Sequence, residues 1–596
     1  MIDYAVLVWP ADDAQTDACA QSLAAALDRA GWQRQVDEPG RIVLLRGAHR
    51  SPVVRMIGED TILIGHVFDR AATQAGHVAS LRAPAGAAPF DIKCAWWVDH
   101  GWGAYVAVRH DPEAPCAVEL FRDPIGMLDC ICWSHGRLRI ATSAPEPLLA
   151  HAPPPDLAID WALVAAMLRL PGSAGEALPL TGLASPAPGT ILRLSRSDSI
   201  VRSLWSPARL ARRAPTRDAA QILPDLVDAC VAAWCWTTTR AVGELSGGLD
   251  SAIVAAGVAR LPTPPAMTWF NYRSTDREGD ERRYARAVAD RLGLELAETL
   301  RDDAAIDERL MAAMPTALRP PVASLSLFHD ADLAARGRSL GADTLLTGQG
   351  GDALFFQPAT PLVAADLAWD ARRWRHGLPA IRDIALWTNR THWSVLGTAL
   401  RARLRPSPLA MPALRHDLVA PAFAAAPHPI GWMADTADLP PAKQLQILNL
   451  AAARAAFGTS YCSSAMRVVH PLMSQPLLEQ ILPIPTIDLT EGRRDRALVR
   501  RAYRSRLPEL LIDRRGKGCL TAFYGRMLAM SAPFLRAYLL DGVLAENGLL
   551  QTDRLDALLD ADTLMRTNAY TEIIVILVME RWARDWSARI AAFAPR

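Results

Sequence analysis

The sequence predicts an α/β protein in two parts, and two observations carry that prediction. Up to about residue 205 short strands follow one another with turns between them. From about residue 215 onward, Ala/Leu/Arg-rich helical segments alternate with short apolar strands and later give way to helices. Composition agrees: 596 residues that are 51% hydrophobic and 21% charged can bury large cores, which excludes a disordered or fibrous chain. Lys+Arg (64) nearly balances Asp+Glu (63), so no global field holds nucleic acid or an anionic membrane, and any anion has to be caught locally.

In chain order, strands are expected at Tyr4 to Trp9, Ile42 to Leu45, Thr61 to Val67, Gly103 to Val108, Ala117 to Phe121 and Arg137 to Ala141, with a helix at Asp17 to Ala30. A proline-rich stretch, Ala144 to Pro155, interrupts this region, and Pro179, Pro186 and Pro188 lead into a strand at Thr190 to Leu194. The first domain, 1–210, closes near Trp205-Ser206-Pro207, and the second takes residues 211–596. There, a buried strand Ala241 to Leu245 runs into the turn Ser246 to Ser251 and a helix Ala252 to Leu261. Strand Ala266 to Tyr272, helix Asp280 to Leu292 and strand Thr344 to Thr347 follow. The aliphatic run Ile573 to Met579 is far short of the roughly 20 residues of a spanning helix and is expected in a core helix. The opening Met-Ile-Asp-Tyr lacks an export signal, so a cytoplasmic location is expected.

The 9 cysteines are scattered without a Cys-x-x-Cys pair, which argues against a disulfide framework or a zinc site. Only Lys93, Lys443 and Lys517 supply ammonium groups, so each lysine is informative.

The chemistry is expected at Ser246-Gly-Gly-Leu-Asp-Ser251, where a parallel strand hands over to a helix at the carboxyl edge of the sheet. Glycines let amides approach an anion, serines add hydroxyl donors and the helix N-terminus adds positive dipole, which together make a phosphate cradle. It is not a Walker A loop, because the one Gly-Lys pair, Gly516-Lys517, is followed by Gly518. Asp250 inside an anion-binding turn would repel phosphate unless a cation bridged the two, which argues for Mg²⁺. A second turn, Thr347-Gly-Gln-Gly-Gly-Asp352, repeats the pattern, and Asp352 is placed to share that ion with Asp250. The competing reading of each segment is an ordinary glycine-rich turn.

These two motifs together resemble the asparagine synthetase superfamily. Further segments extend the resemblance along nearly the whole chain: Gly65-His-Val-Phe68, Arg122-Asp-Pro-Ile-Gly126 and Pro188-Gly-Thr190 in the first domain, then Arg467-Val-Val-His-Pro471, Leu507-Pro508 and Arg514-Arg-Gly-Lys517 in the second. The resemblance implies a glutaminase-like β-sandwich of the Ntn-hydrolase type with helices, followed by a parallel-sheet synthetase domain of the PP-loop ATP pyrophosphatases with a helical C-terminal part. It implies ATP and Mg²⁺ as cofactors, with ATP held by Leu245, Ser246, Gly247, Gly248, Asp250, Ser251, Gly348, Gln349, Gly350 and Gly351. The metal falls to Asp250 and Asp352, and Lys517 becomes the catalytic lysine. A compact ammonium there can meet charge developing on pyrophosphate and the leaving group. The window Glu491 to Gly518, with 10 basic and 4 acidic residues, is expected to form a positive wall.

Two departures redirect the chemistry. Glutamine-hydrolysing relatives place a cysteine after the initiator Met, whereas Ile2 stands here, so the first domain is expected to be catalytically inactive and to deliver no ammonia. Gln349 stands where asparagine synthetases have a glutamate and β-lactam synthetases a tyrosine, and an amide cannot act as a base. Asp383, His329, His470 or the substrate and solvent are the remaining candidates for that role. The reading is an ATP-dependent, AMP-forming carbon–nitrogen ligase of the lasso-peptide cyclase type: it adenylates an Asp or Glu side chain of a core peptide and joins it to the peptide's own terminal amine. Trp369, Trp374, Trp387, Trp393 and Trp432 in the helical region Pro361 to Trp432 are candidates to line a peptide groove, against the commoner role of tryptophan in a core. The expected partners are the precursor peptide, a leader-peptide protease and a leader-recognition protein, with neither nucleic acid nor membrane. Alternatives are an ammonia-dependent asparagine synthetase, a β-lactam-type synthetase and a non-catalytic peptide-binding scaffold.

Overall fold

The computed structural model describes residues 2–47, 54–82, 88–110, 117–194, 199–216, 218–274, 276, 279–301, 304–323, 326–369, 377–404, 409, 418–423, 430–516, 518, 520–567 and 569–593. The chain divides into two compact units. One takes residues 1–164, 178–206 and 582–596, and the other residues 165–177 and 207–581.

The first unit is built on β1 (Asp3–Val8), β2 (Gln33–Glu38), β3 (Arg41–Arg46), β4 (Val54–Ile57), β5 (Thr61–Asp69), β6 (Gly101–His110), β7 (Val118–Arg122), β8 (Ile131–His135), β9 (Leu138–Thr142), β10 (Thr190–Leu194) and β11 (Ser199–Ser203). They pair antiparallel in two sheets, ordered β2-β3-β1-β9-β8 and β11-β10-β7-β6-β5-β4. Because side chains alternate along a strand, Tyr4, Val6 and Val43 of one sheet share an apolar core with Ile62, Ile64, Val106, Val108 and Leu120 of the other. Helix Ala14–Arg29 starts at Asp13, whose carboxylate accepts from Thr16 N at 3.0 Å, and its buried stripe is Ala20, Leu23, Ala24 and Leu27.

The Arg122-Asp-Pro-Ile-Gly126 segment folds around a fully buried carboxylate. Asp123 accepts from the amides of Ile125 (3.0 Å), Gly126 (2.7 Å), Met127 (3.2 Å) and Leu128 (3.2 Å), while Arg122 donates to the carbonyls of Gly126 and Leu128. Burial pushes the thiols of Cys94 and Cys132 well above the usual range and also raises Cys19, so these groups stay protonated and poorly nucleophilic.

In the second unit β12 (Arg240–Glu244), β13 (Ala266–Arg273), β14 (Leu296–Leu300), β15 (Thr344–Leu346) and β16 (Arg467–Val469) form a parallel sheet in the order β14-β13-β12-β15-β16. The chain runs outward from β12 through β13 to β14 and then returns to pair β15 on the other side of β12, with Val242 beside Leu345. That reversal makes the carboxyl ends of β12 and β15 a topological switch point, where a crevice opens.

Helix Tyr570–Phe593 contains Ile573 to Met579, all buried as expected for a core helix. Among the described residues one segment, Thr521–Glu546, is long and apolar enough to cross a membrane by length and composition alone. Its residues Phe523, Leu528, Leu535 and Leu539 are buried in the fold.

Candidate active site

The site grows from the switch point. Strand β12 continues through Leu245, whose N–H donates to Phe270 O at 2.8 Å and whose carbonyl accepts from Asn271 Nδ2 at 2.8 Å. The chain then turns through Ser246-Gly247-Gly248. Gly247 has φ +77°, and a Cβ on it would sit 2.8 Å from Glu281 O, so only glycine fits. Helix Leu249–Ala259 begins immediately, earlier than the Ala252 start expected from sequence. Ser246 Oγ and Ser251 Oγ lie 3.1 Å apart, and Ser251 Oγ donates to Gly248 O at 3.2 Å, which closes the turn. Amides in the first turn of a helix have no intrahelical acceptor, so this end offers donors and positive dipole to an anion.

The second turn lies directly against the first. A Cβ on Gly348 would come within 2.5 Å of Ser251 N, so the absent side chain is what lets the two turns meet at backbone distance. Gln349 is exposed and its N–H donates to Thr347 Oγ1 at 3.1 Å. Behind the turn, the Arg467-Val-Val-His-Pro471 segment contributes β16 and places His470 Nδ1 2.6 Å from Thr347 Oγ1. His470 Nε2 lies 3.2 Å from Ala456 O, and burial pulls the imidazole down to about 4. A carbonyl can only accept, so Nε2 carries the proton and Nδ1 accepts from the hydroxyl. His470 is thereby committed to holding the turn.

Asp250 and Asp352 are brought together. Arg496 Nη1 lies 2.9 Å from Asp250 Oδ2 and also pairs with Asp352 Oδ1, and Arg496 Nε donates to Asp495 at 3.0 Å. Burial opposes this guanidinium's charge, but the carboxylates of Asp250, Asp352 and Asp495 outweigh burial and hold its pKa above the usual arginine value. Arg496 is itself in the left-handed region at φ +51°, a conformation that costs a non-glycine residue energy and persists only where packing enforces it. Sequence reasoning saw Arg496 as one arginine in a basic window. Its signal, a position facing two carboxylates, exists only in three dimensions.

Lys517 and Cys519 lie outside the described residues, but the neighbours of Lys517 are placed. Glu281 accepts from Gly518 N at 2.6 Å and forms a bidentate pair with Arg514, which also donates to Gly247 O at 2.9 Å. The Arg514 guanidinium lies 4.0 Å from the Tyr284 ring centroid. Glu281 therefore ties the segment flanking Lys517 to the phosphate turn, a role the sequence did not disclose.

Of the basic window, Arg496, Arg500, Arg514 and Arg515 line the cavity. Arg493 and Arg501 pair with Glu491, and Arg504 with Asp513, on the exposed side.

The two turns open into a cavity of about 950 Å³. Its lining includes Ser246 to Ser251, Thr347 to Gly350, Asp352 and Arg496, together with apolar surface from Trp387, Ala452, Ala453, Ala455 and Ala456. Among the other tryptophans, Trp432 is buried under the Arg454 guanidinium at 4.8 Å and Trp393 is 81% exposed. The side chain of Trp369, and Trp374 altogether, fall outside the described residues. Asp383 pairs with Arg382 at 3.4 Å and does not line the cavity, whereas His329 does.

The family model described as asparagine synthase matches residues 223–584, more than half of the chain and both glycine turns. No curated protein matches the sequence. Among solved structures, a glutamine phosphoribosylpyrophosphate amidotransferase from B. subtilis complexed with ADP and GMP is 10% identical with a TM-score of 0.21, covering 50% of this chain and 81% of that one. An allosteric regulatory enzyme of purine biosynthesis is 11% identical with a TM-score of 0.21, covering 51% of this chain and 76% of that one. With paired glycine turns at the switch point of a parallel sheet and the family match across them, the chain belongs to the asparagine synthase family and is an ATP-dependent, carbon–nitrogen bond-forming ligase.

Proposed function

We propose that this ligase is a macrolactam-forming cyclase of the lasso-peptide type, which adenylates an Asp or Glu side chain of a core peptide and closes it onto the peptide's own terminal amine. The observation that carries the reading is the apolar part of the cavity lining. The phosphate-binding turns share a cavity of about 950 Å³ with Trp387, Ala452, Ala453, Ala455 and Ala456, an apolar surface that suits a peptide beside the nucleotide. Gln349 at the lip of the second turn orients by hydrogen bonds and takes no proton, which distinguishes the site from those for free aspartate and β-amino acids.

In this reading the amides and hydroxyls of Ser246 to Ser251 and Gly348 to Gly351 hold the triphosphate, with Leu245 at the strand end beside the nucleotide. Asp250 and Asp352 converge on a single point, now marked by the Arg496 guanidinium, and their hard oxygens suit Mg²⁺. Among the described residues no group of three or more His, Cys, Asp or Glu side chains forms a metal cage of its own, which suits an ion that takes its remaining ligands from phosphate and water. When bound, Mg²⁺ would neutralise charge on the departing pyrophosphate. Arg514 lines the same cavity, and Lys517, three residues further along the chain, is assigned to the leaving group. The carboxylate oxygen attacks the α-phosphorus, pyrophosphate leaves, and the amine then displaces AMP. The cavity's further contribution is order: it holds the peptide's two ends together in a conformation the free chain seldom visits. A precursor peptide is the substrate, and a leader-peptide protease and a leader-recognition protein are the proposed partners.

The test is mass spectrometry on a panel of linear peptides, each with a free amino terminus and one aspartate or glutamate at successive positions, incubated with enzyme, ATP and Mg²⁺. A product lighter by one water, absent for amino-terminally acetylated peptides, supports the reading. Asparagine made from aspartate and ammonium would replace it with the ammonia-dependent alternative, and β-lactam formation from a β-amino acid with the other.

A further inference from the structure

The amine needs a partner that Gln349 cannot supply, and besides Asp250, Asp330, Asp352 and Asp495 the cavity is lined by a carboxylate at the end of β12. Glu244 precedes Ser246 by two residues, about 7 Å of extended chain, and lines the same cavity as His329. His329 Nε2 lies 3.2 Å from Glu244 Oε2, and Arg301 Nη1 lies 3.1 Å from His329 Nδ1. An arginine can only donate, so Nδ1 accepts and the imidazole proton sits on Nε2, pointing at the carboxylate. The Tyr272 ring packs on the imidazole with centroids 4.2 Å apart, and its hydroxyl donates to Asp332 at 2.8 Å, which fixes the ring plane. His329 is 9% exposed and Glu244 24%, so the histidine is packed away while the carboxylate keeps a share of the cavity surface.

We propose that Glu244, oriented by His329, is the binding and proton-accepting group for a primary alkylammonium, the incoming amine of the ligation. This inference rests on the acyl-adenylate reading above and adds the group that receives the nucleophile. The ammonium pairs with the carboxylate and gives it one proton. The freed nitrogen lone pair attacks the acyl carbon, the carbon–oxygen bond to AMP breaks with its electron pair leaving on the phosphate, and the nitrogen's second proton passes to water. His329 touches neither reactant and is a positioning residue.

The test uses the full chain with a cyclising peptide from the panel above, comparing wild type with Glu244→Gln and His329→Gln. Glu244→Gln keeps an oxygen that accepts from His329 but cannot take a proton, so packing is retained. Two half-reactions are read separately: ATP–pyrophosphate exchange for adenylation, and amide formation, with hydroxylamine as a small neutral nucleophile that needs no base. The expected result is exchange and hydroxamate yield within about two-fold of wild type and cyclisation slower by about 100-fold or more in Glu244→Gln. His329→Gln is expected to lose about ten-fold in cyclisation rate with the peptide's KM unchanged. Cyclisation at the wild-type rate in Glu244→Gln, or loss of exchange together with cyclisation in that variant, overturns the proposal. Absence of exchange in the wild type sinks the adenylate reading instead, so the two failures are distinct.

Discussion

Asp250 Oδ2 lies 2.9 Å from Arg496 Nη1, an ion pair between the first glycine turn and a residue 246 positions later in the chain. Arg496 also reaches Asp352, so one buried guanidinium neutralises the two carboxylates that the proposed Mg²⁺ would bridge. Replacing it with an apolar residue leaves a pair of like charges facing each other. Arg496→Met is therefore expected to lose about 3 kcal/mol of stability in urea denaturation, less than a fully buried pair would lose because Asp352 is partly exposed. Added Mg²⁺ should recover more of that stability in the variant than it adds to wild type. Equal Mg²⁺ effects in both would show that the ion does not bind between Asp250 and Asp352.

Asp250→Ala and Lys517→Ala are expected to abolish cyclisation, by at least about 100-fold, while circular dichroism stays that of the wild type. Wild-type activity in both variants would remove these residues from the site.

Glu281 joins Gly518 N to the Arg514 guanidinium, and so the segment flanking Lys517 to the phosphate turn. Glu281→Gln should lower kcat by about ten-fold with little change in Tm, because it loosens the segment and leaves the core intact. Limited proteolysis should then cut between Arg514 and Gly518 faster than in wild type. An unchanged cleavage pattern would deny the tether.

Lys443 is buried, and its Nζ donates to Gln446 Oε1 at 2.5 Å and to Ile484 O at 2.6 Å. Burial pulls its pKa from 10.5 down to about 7, against the weaker upward pull of Asp366 and Asp488. Between those two values the unfolded chain binds more protons than the folded one, so this residue makes stability rise with pH across the window. Lys443→Met should flatten the rise measured by urea denaturation at pH values from about 7 to 10. An identical slope in the variant would assign the dependence to other groups.

The sheets show what could be read from the chain and what could not. All ten interior strands were expected from the sequence, and the six that were not expected, β2, β4, β8, β11, β14 and β16, stand at the six sheet edges. Interior strands are covered on both faces and carry continuous apolar runs such as Arg41–Arg46, whereas the edge strand β2 reads Gln-Arg-Gln-Val-Asp-Glu with a largely open burial pattern. The glycine turns were equally legible, because close backbone approach demands glycine wherever it occurs. Arg496, Glu281 and Glu244 were not, since a charged residue declares its partner only when the fold brings the two together. Of the three bases considered, His470 is fixed as a structural donor and acceptor, Asp383 lies away from the cavity, and His329 stands in its wall only behind Glu244.

The most direct test of adenylate chemistry follows the phosphates of ATP labelled at the α-position while a cyclising peptide is turned over. Formation of an acyl adenylate predicts labelled AMP, with unlabelled pyrophosphate, in step with each amide formed. Labelled ADP with orthophosphate would mean an acyl phosphate in place of an acyl adenylate, and would contradict it.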